Sequence, residues 1–329
     1  VKVFRVSLDG GVGGFFFFFK QKTAYEIVDG DWSSDVCSSD LKGCFLFDRN
    51  LSSWDMSSAV DMHEMFTSCN SFNNGGSDGI KDWDISSCTD IAEIFSSCAQ
   101  FNQPLTNWDT SSVTLMHTTF ANAKVFNQDL ITDGNKWNTS NVTDMKTMFQ
   151  GASVFDGSLS GWDVSKVTNM SNMFINANAF TGQGINSWNV GACTNMFRMF
   201  QNCPLSSSVD LSSWDVSSAT TLFQMFVNAA SFNSNLSSWN LSSISTDPDA
   251  YGAGQGALHE MFKGCGMSKS NLDATLQGWC ANSNTPSGLH LGTLPLNGPT
   301  ETWDTATTTA RKDDKRMTAL YGTGNPVYT

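Results

Sequence analysis

Tryptophan recurs at Trp54, Trp83, Trp108, Trp137, Trp162, Trp188, Trp214 and Trp239, at intervals of 29, 25, 29, 25, 26, 26 and 25 residues. Each of the first seven is followed twelve residues later by a phenylalanine: Phe66, Phe95, Phe120, Phe149, Phe174, Phe200 and Phe226. The eighth partner is Phe262, displaced by an 11-residue insertion with the sequence TDPDAYGAGQG. Elsewhere, length varies only between a phenylalanine and the next tryptophan. The Trp-to-Phe segment is therefore one unit, and the return segment is a loop that tolerates insertions. One such unit cannot bury its own apolar face; a stack of them can.

Positions are numbered below from each tryptophan. In the copy LSGWDVSKVTNMSNMFINANAF, Leu159 to Phe180, apolar or small residues fall at +2, +5, +8, +11, +12, +15 and +18. Positions +5 to +15 carry an i, i+3, i+4, i+7 stripe, which predicts an amphipathic helix. Thr168 at +6 suits its N-cap, and Thr89, Thr114, Thr143, Thr194 and Thr220 recur there. Around the tryptophan the period becomes two, which predicts a short strand. The expected fold is an α/β repeat: a right-handed, leucine-rich-repeat-like solenoid with one short strand and one short helix per coil of about 25 residues. Its core is the eight Trp and eight Phe residues, Trp54 to Trp239 and Phe66 to Phe262. Gly-rich or Pro-containing stretches at 73–79 and 244–256 read as excursions from the coil.

The 329-residue chain carries a formal net charge of −13. A phosphate backbone would be repelled, so nucleic acid is not an expected partner. No apolar run reaches the roughly 18 residues of a membrane span. The first residue is Val1, so the chain reads as a piece of a longer protein.

The segments FNQDL, WDVSKVTNMSNMF and WDTSSVT resemble the roughly 26-residue repeat of BspA-like surface proteins, abundant among mycoplasma surface lipoproteins and found in some microbial eukaryotes. The resemblance covers about Lys42 to Trp279. It implies a leucine-rich-repeat-like solenoid at the cell surface, extracellular, with adhesion or protein-binding roles, and it supplies no catalytic residues. Residues 42–264 are then half a repeat plus eight copies. Residues 265–329 are a closing segment, partly irregular: NLDATLQGWCANSNTPSGLHLG resembles the end of such arrays, while TARKDDKRMTALYG keeps little of it.

The residue after each tryptophan is acidic or an amide: Asp55, Asp84, Asp109, Asn138, Asp163, Asn189, Asp215 and Asn240. Stacked strands would set these in a column about 4.8 Å apart, where neighbouring carboxylates repel by roughly 0.9 kcal/mol in bulk water. Such a ladder of Asp55, Asp84, Asp109, Asp163 and Asp215 could hold a weakly bound calcium-type cation between neighbours. The preferred reading is that Asp-x-Ser closes a turn in each repeat, with Ser57, Ser86, Ser111, Ser140, Ser165, Ser217 and Ser242 at the matching position. No metal or cofactor is expected. HEMF occurs at His63 and His259 without a second histidine, and the shared repeat position explains the identity; His117 and His290 lack a partner pattern.

Cys44, Cys69, Cys98, Cys203 and Cys265 occupy +15, and Cys88 and Cys193 occupy +5. Across a helix these positions lie about 15 Å apart, too far for a disulfide, so the thiols read as small buried groups. Cys265 with Cys280 is the one pair worth testing. The Asn-x-Ser/Thr sites are near chance frequency in a chain so rich in these residues and carry no glycosylation reading.

Residues 1–41 read as non-native. The family pattern breaks off at Leu41, where a phenylalanine is due, and a reverse translation of 20–27 and of 31–41 resembles the two constant parts of a short-read sequencing adapter, with 27–30 spanning an index between them. Poly-T before them gives Phe15 to Phe19, and residues 15–41 resemble a translated adapter. Such a stretch is set aside in reading the fold and is expected to pack poorly.

Nucleophilic triads, phosphate loops and paired catalytic carboxylates are missing, so no enzyme is expected. The expected function is surface display or binding of a protein or glycan through an extended face, with oligomeric state open. An intracellular scaffold of the same fold and a carbohydrate-binding repeat region are the alternatives.

Overall fold

The computed structural model describes residues 41–132, 137–287, 289 and 291. Nearly all of residues 1–41 and 292–329 therefore lie outside it, including the adapter-like stretch up to Asp40.

The repeats contain no α-helix among the described residues; the only one, α1, spans Lys269–Ala281 beyond them. The expected helix at +5 to +15 is replaced by a run of β-turns. Backbone N–H groups at +11, +13 and +15 donate three residues back within the repeat, as Met65 to Met62, Thr67 to Glu64 and Cys69 to Phe66. Those at +8, +10, +12 and +14 donate instead to the next repeat. Met62, Glu64, Phe66 and Ser68 bond the carbonyls of Asp90, Ala92, Ile94 and Ser96, and the same register continues through Leu222, Gln224, Phe226 and Asn228, which bond Ala257, His259, Met261 and Lys263. Alternating donors of this kind need a reversal of backbone hand at fixed points. Positions +10 and +14 supply it with positive φ, as at Asn172 (56°) and Asn176 (59°).

The pattern mimics a helix because turn-built and helical backbones both return inward every three to four residues. Composition favours turns: Ser, Thr, Asn and Asp bond local backbone and are neutral or poor helix formers. At +14 the chain carries Ser68, Ser97, Asn122, Gly151, Asn176, Asn202, Asn228 and Gly264, all with positive φ, and Asn and Gly tolerate that region best.

The expected strand at the tryptophan is also absent among the described residues. Among the described residues, parallel pairing between repeats is made by single-residue bridges at +7: Asp61 to Asp90, Leu115, Asp144, Asn169, Asn195 and Thr221 in succession. Thr89, Thr114, Thr143, Thr168, Thr194 and Thr220 are not helix N-caps. Each uses both its N–H and its hydroxyl on the +6 carbonyl of the preceding repeat, the N–H at 2.8–3.0 Å.

Three aromatic columns run along the stack. Trp83 and Trp108 ring centroids lie 6.2 Å apart, as do neighbours in the same column from Trp137 to Trp214 at 6.0–6.5 Å. The +12 phenylalanines stack from Phe66 to Phe262 at 5.4–6.2 Å. A second phenylalanine column at +18 runs from Phe47 through Phe72, Phe101, Phe126 and Phe155 to Phe180. Within one repeat the two phenylalanines nearly touch, as Phe149 and Phe155 at 4.2 Å. Of the expected core residues, Trp54 at the N-terminal edge is only partly buried and the rest are buried.

α1 closes the far end. Ser268 caps it by accepting the Asn271 N–H, and Leu272, Thr275, Leu276, Trp279 and Cys280 face inward. Trp279 stacks on Phe262 at 5.9 Å and donates from Nε1 to the Leu236 carbonyl, in place of a further repeat. Gly278 permits the approach: a Cβ there would stand 2.4 Å from the Ser237 carbonyl oxygen. The 73–79 excursion is pinned by buried Asn74, whose Oδ1 accepts the Leu51 N–H at 2.6 Å.

Tryptophan N–H groups at 83, 108, 162, 214 and 239 donate to return-segment carbonyls of the preceding repeat. Those of Trp137 and Trp188 are buried without a partner. Trp239→Phe removes one of the two hydrogen bonds that the Leu211 carbonyl accepts, leaving it the Trp214 N–H, whereas Trp188→Phe removes an unsatisfied donor. The first is expected to be less stable than the second by about 1–3 kcal/mol in urea unfolding.

Candidate functional site

The +1 column lies on the outside of the stack. In all eight repeats its side-chain oxygen accepts the backbone N–H of +3 at 2.9–3.2 Å, from Ser57 on Asp55 to Ser242 on Asn240. Asp and Asn serve equally because the bond needs only an acceptor. Bonds from the Ser57 hydroxyl and N–H hold the Asp55 carboxyl below its ordinary range, and those from Ser165 do the same for Asp163.

The same device recurs at +7, which the sequence reading did not single out. Asp61, Asp90, Asp144, Asn169 and Asn195 each accept the N–H two residues on, at 2.8–3.1 Å. The return segment carries a third ladder. Asp48, Asn73, Asn102, Asn127 and Asp156 accept the N–H of the matching residue one repeat along, at 2.8–3.0 Å. The glutamine of FNQ, Gln103 or Gln128, donates to the preceding repeat's Asn73 or Asn102 carbonyl. FNQ is thus an inter-repeat clamp, legible once the repeat register is set.

Open grooves interrupt this relief among the described residues. One, of about 460 Å³, is lined by Asp109, Ser111, Asn138, Asp163 and Trp137. Another, of about 550 Å³, is lined by Ser208, Asp210, Ser212, Asn233, Asn235 and Ser238. The 246–256 insertion adds an aromatic patch: Tyr251, 39% exposed, packs against Phe223 at 4.8 Å and Phe197 at 5.3 Å. The Arg198 guanidinium lies 4.7 Å from the Phe197 ring centroid.

Among the described residues, the ligating atoms that converge within 4.8 Å of one another belong to His63, Glu64 and Glu93. None of the ladder aspartates is in that group. His63 and Glu64 occupy +9 and +10 of the first full repeat, and Glu93 is +10 of the second. His117, +9 of the third, lies 6.3 Å from His63 between ring centroids. The second HEMF copy is used differently: His259 packs on Phe223, and Glu260 pairs with Gln224 and Lys263.

Cys69, Cys88, Cys98, Cys193, Cys203 and Cys265 are buried, and no disulfide joins Cys265 to Cys280. Burial pushes the Cys69 and Cys193 thiols up to about 12 and those of Cys88 and Cys265 up to about 11.

Residues 35–161, 132–207, 155–257 and 205–314 match the family described as "Mycoplasma protein of unknown function, DUF285". The chain belongs to this family. The overlapping matches follow the repeats, so each DUF285 match spans several stacked units. No curated protein and no solved structure matches the chain. No helix among the described residues of this DUF285 protein is long and apolar enough to cross a membrane.

Asp163→Ala is expected to cost about 1 kcal/mol, and Asp163→Asn much less, because only the acceptor is needed; urea midpoints compare the two. The Asp55 and Asp163 contribution is present above the ordinary carboxylate range and is lost as pH falls through their lowered folded values. Thiols held protonated act oppositely. Their contribution is present below the ordinary thiol value of 9.0 and is lost as pH rises toward 11–12. The buried thiols Cys69, Cys88, Cys98, Cys193, Cys203 and Cys265 should therefore resist a thiol reagent at pH 8 in the native protein, and its melting temperature should fall above pH 9.

Proposed function

We propose that the chain is a non-enzymatic binding module whose stacked repeats form a solenoid, presenting an extended polar face to a protein or glycan at a cell surface. The observation that carries this reading is the use of the outward polar side chains. At +1, +6 and +7 they are tied into backbone bonds repeat after repeat, which holds a broad surface in one conformation before any partner arrives.

The apolar side chains are spent on the aromatic columns, and the two grooves are open and polar. Such relief suits an extended partner rather than an enclosed small substrate. The groove with Asp109, Asn138 and Asp163 offers acceptors beside an indole edge, a combination that fits hydroxyl-rich or cationic groups. The Tyr251–Arg198 patch breaks the repetition, and a break in a regular array is where selectivity would reside. Placement at the cell surface rests on the resemblance to BspA-like proteins.

Labelled full chain is expected to bind host-type cells saturably. Asp163→Lys in the groove or Tyr251→Ala in the patch should weaken that binding at least about tenfold, an interface hot-spot effect. Protease or glycosidase treatment of the cells would separate the two partner classes. Absence of saturable binding to treated and untreated cells, or full retention by both variants, would overturn the reading.

A further inference from the structure

We infer that His63, Glu64 and Glu93 form a binding site for a zinc-like divalent cation, with His117 as a fourth donor within reach. The inference does not depend on the proposed binding role. The three ligating atoms converge within 4.8 Å, from two successive repeats, on side chains only half buried. The ligands of a tetrahedral zinc at about 2.0–2.1 Å stand about 3.4 Å from one another. Side-chain torsions at a half-exposed rim can supply that contraction without moving backbone.

The positions are fixed independently of any ion. Glu64 and Glu93 both sit at the positive-φ position +10 (61° and 59°), and the Glu64 N–H bonds the Ala92 carbonyl directly before Glu93. The stack thus places one glutamate over the next. Two carboxylates so placed repel unless a cation lies with them. Lys42 donates to Glu64 Oε1 and answers part of that charge. Elsewhere the +10 column avoids the conflict. It carries Thr118, Thr147, Asn172, Arg198 and Gln224, and then Glu260, which Lys263 pairs.

The donor set selects the metal. An imidazole nitrogen with two carboxylates suits zinc and its first-row neighbours, whereas calcium takes six to eight oxygens and magnesium an octahedral oxygen shell. The His117 imidazole, from the third repeat, lies outside the converging three, with its ring centroid 6.3 Å from that of His63. Alanine at +9 of the intervening repeat, Ala92, leaves the space through which the His63 and His117 rings approach. The second HEMF copy is a built-in control, because its His259 faces the Phe223 ring and its Glu260 already has a lysine.

The test uses the untagged full chain and zinc titrated against a chromophoric chelator. One saturable site is expected. His63→Ala and Glu93→Gln should each weaken it at least about tenfold, since even outer-shell losses around a metal cost that much. His259→Ala should leave it unchanged, and Lys42→Met should tighten it by freeing Glu64. Melting temperatures in chelator, equal across the variants, would show that folding is intact. If His63→Ala or Glu93→Gln melted early, zinc-dependent protection of the intact chain, absent with calcium or magnesium, would still report the site. No saturable zinc binding, or binding unchanged in His63→Ala and Glu93→Gln, would overturn the inference.

Discussion

The structure depends on the backbone bonds that pass from one repeat to the next. Four N–H groups per interface, at +8, +10, +12 and +14, leave their own repeat and bond the carbonyls beyond. A buried amide without a partner costs about as much as a lost hydrogen bond, so no repeat can satisfy its backbone alone. Stacking is therefore a condition of each repeat's local conformation and not a later association of preformed units. The aromatic columns follow from it, because equal backbone register places like side chains above like.

That ladder has a conformational cost. Positive φ at +10 and +14 recurs in every repeat, and +10 is filled by Glu, Thr, Arg and Gln as well as Asn. Such residues cost of order 1–3 kcal/mol each in sparsely populated backbone regions. The bonds to the next repeat and the burial of the columns offset this. The ends of the stack are where the offset fails. There α1 seals one end with Trp279, and Leu41 and Phe47 pack on the other in the positions of +12 and +18.

Within a repetitive frame, chemistry comes from where columns deviate. The +9 column reads His63, Ala92, His117, Lys146, Ser171, Phe197, Phe223 and His259. Its first members gather nitrogen and carboxylate donors, and its last members gather aromatic rings around Tyr251 and Arg198. One tetrapeptide, HEMF, thus has two surroundings. Its neighbours in the stack, not its own residues, decide what it can bind.

The repeat length, the rigid Trp-to-Phe unit, the insertions and the inward residues were legible in the sequence, because burial of like residues in register forces a period. Turn closure by Asp55, Asp163 and their counterparts was legible too, since Asp-x-Ser carries its own acceptor and donor. The helix and the strand were misread. A chain of turns returns inward at nearly the helical interval, and hydrophobic spacing reports which residues face inward, not where their N–H groups go. The convergence of His63, Glu64 and Glu93 was equally hidden, since residues about 25 apart become neighbours only when the register of the stack is fixed. The sequence by itself determined the period and the inward set, through apolar burial. The tertiary structure decided the backbone conformation and the outward clusters, because both are made of bonds and distances between repeats.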